Sequence, residues 1–284
     1  MKKAISIWSF PEHYSVKKFI KVAQSAGFEG VELSMSMDGD INLTSNDDEL
    51  TAIKKYALDH HITIHGVASN LSWNYSFADN DKEERKRAYD VTVRQIQIAK
   101  TLGATSIIYM PGAVYSELFR SEKPPLRYDI AHERNLEALL KLKPVAEKYE
   151  IDIAIENVWN KMYFSPLEMR ELIDAVESPF VGAYFDVGNI MPYGFPEHWI
   201  PILDWRIKKI HFKDFKYNTV QLDGFSDLLS GEVNWPAVVD AIKEIGYKGW
   251  ITSEVQPYRY YPEQIAYNSS ANIDVILNKR VDFE

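Results

Sequence analysis

Short apolar runs alternate with longer amphipathic stretches along the whole chain. The runs are Ala4–Phe10, Gly30–Met35, Ile62–Ala68, Ser106–Pro111, Asp152–Val158, Val181–Val187, Ile207–Phe215 and Gly249–Val255. Short, nearly continuous apolar runs predict strands buried on both faces, as in a parallel sheet. The stretches between them carry helical periodicity over Val16–Ser25, Asp47–His60, about Asp81–Leu102, Ile130–Tyr149, Ser165–Val176, Pro236–Ile245 and Pro262–Leu277, with a short helix near Trp199. Their ends are punctuated. Ser15 and Asn234 read as N-caps, and Gly27, Gly103 and Gly246 stop helices. Ser165-Pro166-Leu167-Glu168 is a capping box with proline in the first turn. Pro144 predicts a kink in its helix.

Eight strand–helix units in 284 residues predict an α/β fold, a (β/α)8 TIM barrel forming a single domain over residues 1–284. An open doubly wound sheet is the alternative. It is disfavoured because no G-x-G-x-x-G follows the first run.

Composition narrows the chemistry. The formal net charge of -9 argues against a nucleic-acid partner, which needs clustered Lys and Arg. There is no cysteine, so a metal would have to be held by His, Asp or Glu. Pro11-Glu12-His13 interrupts the apolar N-terminus too early for a signal peptide, and no apolar run has the length of a membrane span. A cytoplasmic protein without membrane contact is expected. Self-association into a homo-oligomer is left open.

Four consecutive runs each end in one metal-ligating side chain: Glu156, Asp186, His211 and Glu254. In a barrel the strand C-termini surround one mouth, and neighbouring strands lie about 4.8 Å apart. The four side chains can therefore converge on one ion. Three carboxylates and an imidazole suit Mn²⁺, Mg²⁺ or Co²⁺, and Zn²⁺ is compatible. Any one of them alone reads as a buried polar group satisfied by its neighbours, and Glu32 ends its run similarly. Four in succession argue against that reading.

The motifs IEN (155–157), FDVGN (185–189), HFKD (211–214), SGEVNW (230–235) and the Ser253-Glu254 pair resemble the sugar-phosphate isomerase/epimerase superfamily, built on the xylose-isomerase-like barrel. The resemblance covers almost the whole chain and is nearest to ketose 3-epimerases, including those acting on L-xylulose 5-phosphate. It implies that Glu156, Asp186, His211 and Glu254 bind one divalent metal ion. It also implies that Glu156 and Glu254 are the acid/base pair of a 3-epimerisation running through a cis-enediolate. The substrate expected is a small sugar or sugar phosphate. An aldose–ketose isomerisation could use the same site. Endonuclease IV relatives hold three zinc ions with extra histidines. Here position 189 is Asn and no Asp-x-His follows Asp214, which implies one metal ion and excludes DNA repair.

Further substrate contacts are expected from His65 at the end of the third run, Lys213 after His211, Trp8 stacking on a sugar face, Asn189 and Glu32. Core packing is the competing role for His65 and Trp8, and a Lys–Asp network for Lys213 and Asp214. Asn157 is expected to support its neighbouring ligand. Aromatics in the loops, namely Trp73, Tyr75, Phe119, Tyr193 and Phe195, suggest a capped pocket. Two other functions fit the same residues. One is an inosose dehydratase-like lyase; the other is a barrel that binds sugar without turning it over.

Overall fold

The computed structural model describes residues 1–115, 124–217 and 221–278. Phe119 lies outside the described residues. The barrel strands are β1 (Lys2–Ser6), β2 (Gly30–Met35), β3 (Thr63–Ser69), β4 (Ser106–Tyr109), β5 (Asp152–Glu156), β6 (Val181–Asp186), β7 (Ile207–Phe212) and β10 (Trp250–Ser253). A short antiparallel pair, β8 (Asp214–Phe215) and β9 (Phe225–Ser226), lies between the last two. The eight long strands close in the order β1-β10-β7-β6-β5-β4-β3-β2, and every neighbouring pair is parallel. This is the expected (β/α)8 barrel.

The helices are α1 (Val16–Ser25), α2 (Asp47–Asp59), α3 (Lys82–Leu102), α4 (Tyr128–Tyr149), α5 (Pro166–Val176), α6 (Val187–Ile190), α7 (Pro196–Leu203), α8 (Trp235–Glu244) and α9 (Gln264–Asn278). None of the described helices is long and apolar enough to cross a membrane. Their boundaries follow the sequence punctuation. Asn46 and Ser165 make complete capping boxes with Glu49 and Glu168, and α3 ends on Gly103 in the left-handed conformation. Pro144 is accommodated inside a single helix, α4.

Six of the strands end earlier than the apolar runs, two of them for a visible cause. The first stops at Ser6, whose hydroxyl accepts the Trp8 amide and turns Ile7–Ser9 into a 3-10 helix. The seventh breaks at Lys213. The cause is Asp214, whose buried carboxylate accepts the amides of Phe215, Leu229 and Val233 and the indole N–H of Trp235. One side chain thereby folds the loop after β7, while Lys213 pairs with Asp186 and Glu254. Gly231 packs so closely on Asp214 that any Cβ would overlap the carboxylate.

Candidate metal centre and active site

The ends of four strands deliver one cluster. Glu156 is the last residue of β5, Asp186 the last of β6 and His211 the fifth of β7, while Glu254 directly follows β10. Asp186 pairs in register with His211, and His211 with Thr252. Side chains alternate across a strand, so Glu254, two residues beyond Thr252, leaves β10 on the His211 side. The segment after β6 is equally fixed. Asn157 accepts the Asp186 amide and donates to its carbonyl. Asp186 Oδ1 caps the next turn by accepting the Asn189 amide. A Cβ on Gly188 would come within 2.7 Å of the Lys213 carbonyl oxygen, so the turn can sit against β7 only with glycine there.

The cluster closes around His211 Nδ1. Glu254 Oε2 lies 2.8 Å away, Glu156 Oε1 3.2 Å and Asp186 Oδ2 3.7 Å. One ligand atom from each of the four residues lies within 4.8 Å of all the others. Asp186 Oδ2 and Glu254 Oε2 are buried and accept no hydrogen bond of proper geometry. Ligands about 2.1 Å from one octahedral ion and at right angles are about 3 Å apart, which matches this crowding. The donor set and its spacing fit a hard divalent cation.

Burial pushes the Glu156 carboxyl up, and the charges of Glu254 and Asp186 add to this against the opposing His211, bringing it to about 7. Burial also pushes Glu254 up, but Lys213 and His211 outweigh it and hold that carboxyl at about 2. Lys213 Nζ sits 2.8 Å from Glu254 Oε1 and 3.1 Å from Asp186 Oδ2. Burial disfavours the His211 cation, yet Glu32 and Glu254 more than compensate, so its imidazole is held well above the usual range.

Beneath the cluster runs a buried polar chain. Glu32 Oε1 is 3.1 Å from His211 Nε2, and Glu32 Oε2 accepts the Tyr184 hydroxyl at 2.6 Å. Tyr184 also reaches Thr252 Oγ1, which lies 3.2 Å from His65 Nε2. Glu32 holds Nε2–H, so Nδ1 is the nitrogen that faces the carboxylates, and an ion bound there would take the place of its proton. Tyr184 is a residue the sequence reading missed. Its signal is its position two before Asp186, on the same face of β6.

The other expected contacts divide in two. Trp8, Asn189 and Lys213 line a cavity of about 350 Å³ together with Glu156, Glu254, Trp159 and Phe225. Trp8 donates its indole N–H to Asn70 at 2.5 Å, and Asn189 donates its amide to the Asn157 carbonyl at 2.9 Å. His65 and Glu32 do not line it. His65 is the third residue of β3, not the last, and stacks on Trp250 inside the barrel at 4.9 Å. Trp73 and Met110 add to the wall of the cavity. Trp159 and Phe225, stacked 4.9 Å apart, were not anticipated, because Trp159 lies in the loop after β5 and Phe225 opens the two-residue β9.

Known proteins share this architecture. A Haemophilus influenzae protein named as a candidate L-ribulose-5-phosphate 3-epimerase, SgbU, is 22% identical over 85% of this chain and 84% of its own. The solved IolI protein with a bound zinc atom superposes with a TM-score of 0.81 at 18% identity, covering 98% of both chains. D-psicose 3-epimerase, solved in the presence of D-fructose, gives 0.79 at 16% identity over 98% of this chain and 100% of its own. These structural likenesses establish the fold. The family profile described as "Xylose isomerase-like TIM barrel" matches residues 20–274, from α1 into α9. With the closed barrel and the cluster at its mouth, this shows that the chain belongs to the xylose isomerase-like TIM barrel family.

Proposed function

We propose that this chain is a divalent-metal-dependent ketose 3-epimerase. The observation that carries the reading is the Glu156–Glu254 pair. Two carboxylates of opposed proton affinity reach one point from strands separated by two others. Such a pair suits a reaction that removes a proton from one face of a carbon and returns one to the other. The names of the curated relative and of the solved epimerases support the same reaction class.

Glu156, Asp186, His211 and Glu254 would hold the ion. When bound, it would supply Lewis-acid stabilisation of the negative charge that develops on the substrate. The rest falls to the chain. Glu254, kept ionised by Lys213, takes the proton from C3 beside the ketose carbonyl. Glu156, the carboxyl with the higher proton affinity, returns a proton to the opposite face. The roles exchange in the reverse direction. Trp8, Trp159 and Phe225 wall the cavity and limit water around the enediolate.

The test is product analysis. With Mn²⁺, Co²⁺ or Mg²⁺ and a panel of free and phosphorylated ketoses, the expected product is the C3 epimer. An aldose as the main product, or a dehydrated sugar, would replace this reading with isomerase or dehydratase chemistry.

Two consequences concern metal binding. Below pH 7 a proton occupies Glu156, and metal binding must displace it. His211, held protonated well above the usual imidazole range, must lose its proton as well, so apparent affinity should rise with pH across this range, most steeply below 7. Chelator competition between pH 5.5 and 8 measures this; a flat profile would contradict it. Glu32→Gln keeps a hydrogen-bonding group near His211 but removes the charge. The expected result is about 10–100-fold weaker metal binding in a calorimetric titration. Unchanged affinity would show that Glu32 does not tune the imidazole.

A further inference from the structure

β3 does not stop at His65. It runs to Ser69, so the first residue past the strand at the barrel mouth is Asn70. The chain just beyond a strand's C-terminal end is where a barrel keeps the groups that meet a substrate. The backbone there is fixed: the Ser69 hydroxyl accepts the Leu71 amide and starts a 3-10 turn over Asn70–Trp73. Asn70 is partly exposed and lines the metal cavity with Trp8, Trp73 and Glu254.

Its neighbours set which way its amide faces. An indole N–H only donates, so the atom of Asn70 that lies 2.5 Å from Trp8 Nε1 must be the oxygen. The Ser34 hydroxyl, from β2, lies 3.1 Å from the same oxygen and supplies a second donor. The amide therefore cannot turn over without setting its NH₂ group against the indole. Nδ2 is left with two N–H bonds and no partner among the described residues. Asn189, another amide in the wall, differs: its Nδ2 already donates to the Asn157 carbonyl.

We propose that Asn70 is a specificity-determining residue whose Nδ2 donates a hydrogen bond to one ketose hydroxyl outside the reacting C2–C3 pair. This rests on the epimerase reading above and adds a contact to it. The oxygens on C2 and C3 face the cluster, so the hydroxyl that Asn70 meets is on C1, or on C4 or beyond. Trp8 then has two tasks: its ring walls the cavity, and its N–H holds the amide. An amide held by two donors is oriented before the sugar arrives, so little side-chain freedom is lost on binding. A ketose without that hydroxyl leaves the N–H unpaired in the closed site and is accepted less well for that reason.

The test uses the metal-loaded protein in D₂O with D-fructose, D-tagatose, L-ribulose and L-ribulose 5-phosphate, and with analogues of each that lack one hydroxyl on C1, C4 or beyond. The readout is kcat/KM for deuterium uptake at C3, with bound metal counted. In the parent, loss of one particular hydroxyl should lower kcat/KM about tenfold, the effect of one neutral donor left unpaired. Asn70→Asp keeps the oxygen that Trp8 and Ser34 hold and replaces the donor by an acceptor. It should lower kcat/KM for the intact sugar by about tenfold, and deleting that same hydroxyl should then cost almost nothing more, while the other deletions keep their parental effects. Asn70→Ala should show the same pattern, and both variants should bind the ion as the parent does. A loss shared equally by every analogue, or no loss in either variant, would overturn the proposal and leave the epimerase reading standing. No uptake from any of these sugars by the parent would overturn the epimerase reading and this proposal with it.

Discussion

Glu254→Gln should lower kcat for ketose epimerisation by about 10²–10⁴-fold, the usual contribution of a positioned general base. The substitution preserves shape and removes the one carboxylate that Lys213 and His211 hold ionised against burial. Because Glu254 also belongs to the proposed ligand set, kcat alone does not separate the two roles. The variant should therefore be assayed at saturating Mn²⁺, with bound metal counted. Loss of turnover with the ion retained assigns the proton transfer to Glu254. Full activity with the ion retained would show that the two-glutamate mechanism is wrong.

The second large effect is on the cluster itself. His211 is fully buried between Glu32 on one side and Glu156, Asp186 and Glu254 on the other. Removing one partner of a buried charge group leaves the rest uncompensated and costs about 3–5 kcal/mol. His211→Ala should lower stability by that amount in urea denaturation and should also abolish stoichiometric metal binding. Glu32 has no other positive group within ion-pair distance among the described residues, so its carboxylate suffers most. A variant as stable as the parent that still bound one equivalent of metal would remove His211 from the centre of the account.

The strands and the cluster were legible in the sequence for one physical reason. A parallel barrel buries both faces of each strand, so strands appear as apolar runs, and a polar residue at the end of a run marks the mouth. Glu156, Asp186, His211 and Glu254 are read in that way. His65 was not legible in this way. A run shows that a strand exists but not how far it continues. His65 lies in the middle of its run, and β3 continues four residues further to Ser69, which pairs with Met35, so His65 sits well below the mouth. Glu32 likewise faces the underside of His211, and its partner Tyr184 looks like any aromatic core residue until the two are seen 2.6 Å apart. The break at Lys213 was hidden for another reason: the four donors that meet Asp214 lie between one and 21 positions later in the chain.

The cavity walls were the least legible part. Trp159 and Phe225 are separated in sequence by three α-helices and three strands and meet only through the conformation of the segments that follow β5 and β8. Periodicity carries no information about such contacts, because these loop segments have none.

The central claim is a metal-dependent proton transfer at C3 between Glu156 and Glu254. Its most direct test is NMR of a turned-over ketose in D₂O, with the protein loaded with Mn²⁺ for turnover and the metal removed before the spectrum is recorded. The account predicts deuterium at C3 in both epimers, loss of exchange on adding EDTA, and recovery on returning the ion. Epimerisation without solvent deuterium at C3, or exchange that survives complete removal of the metal, would contradict it.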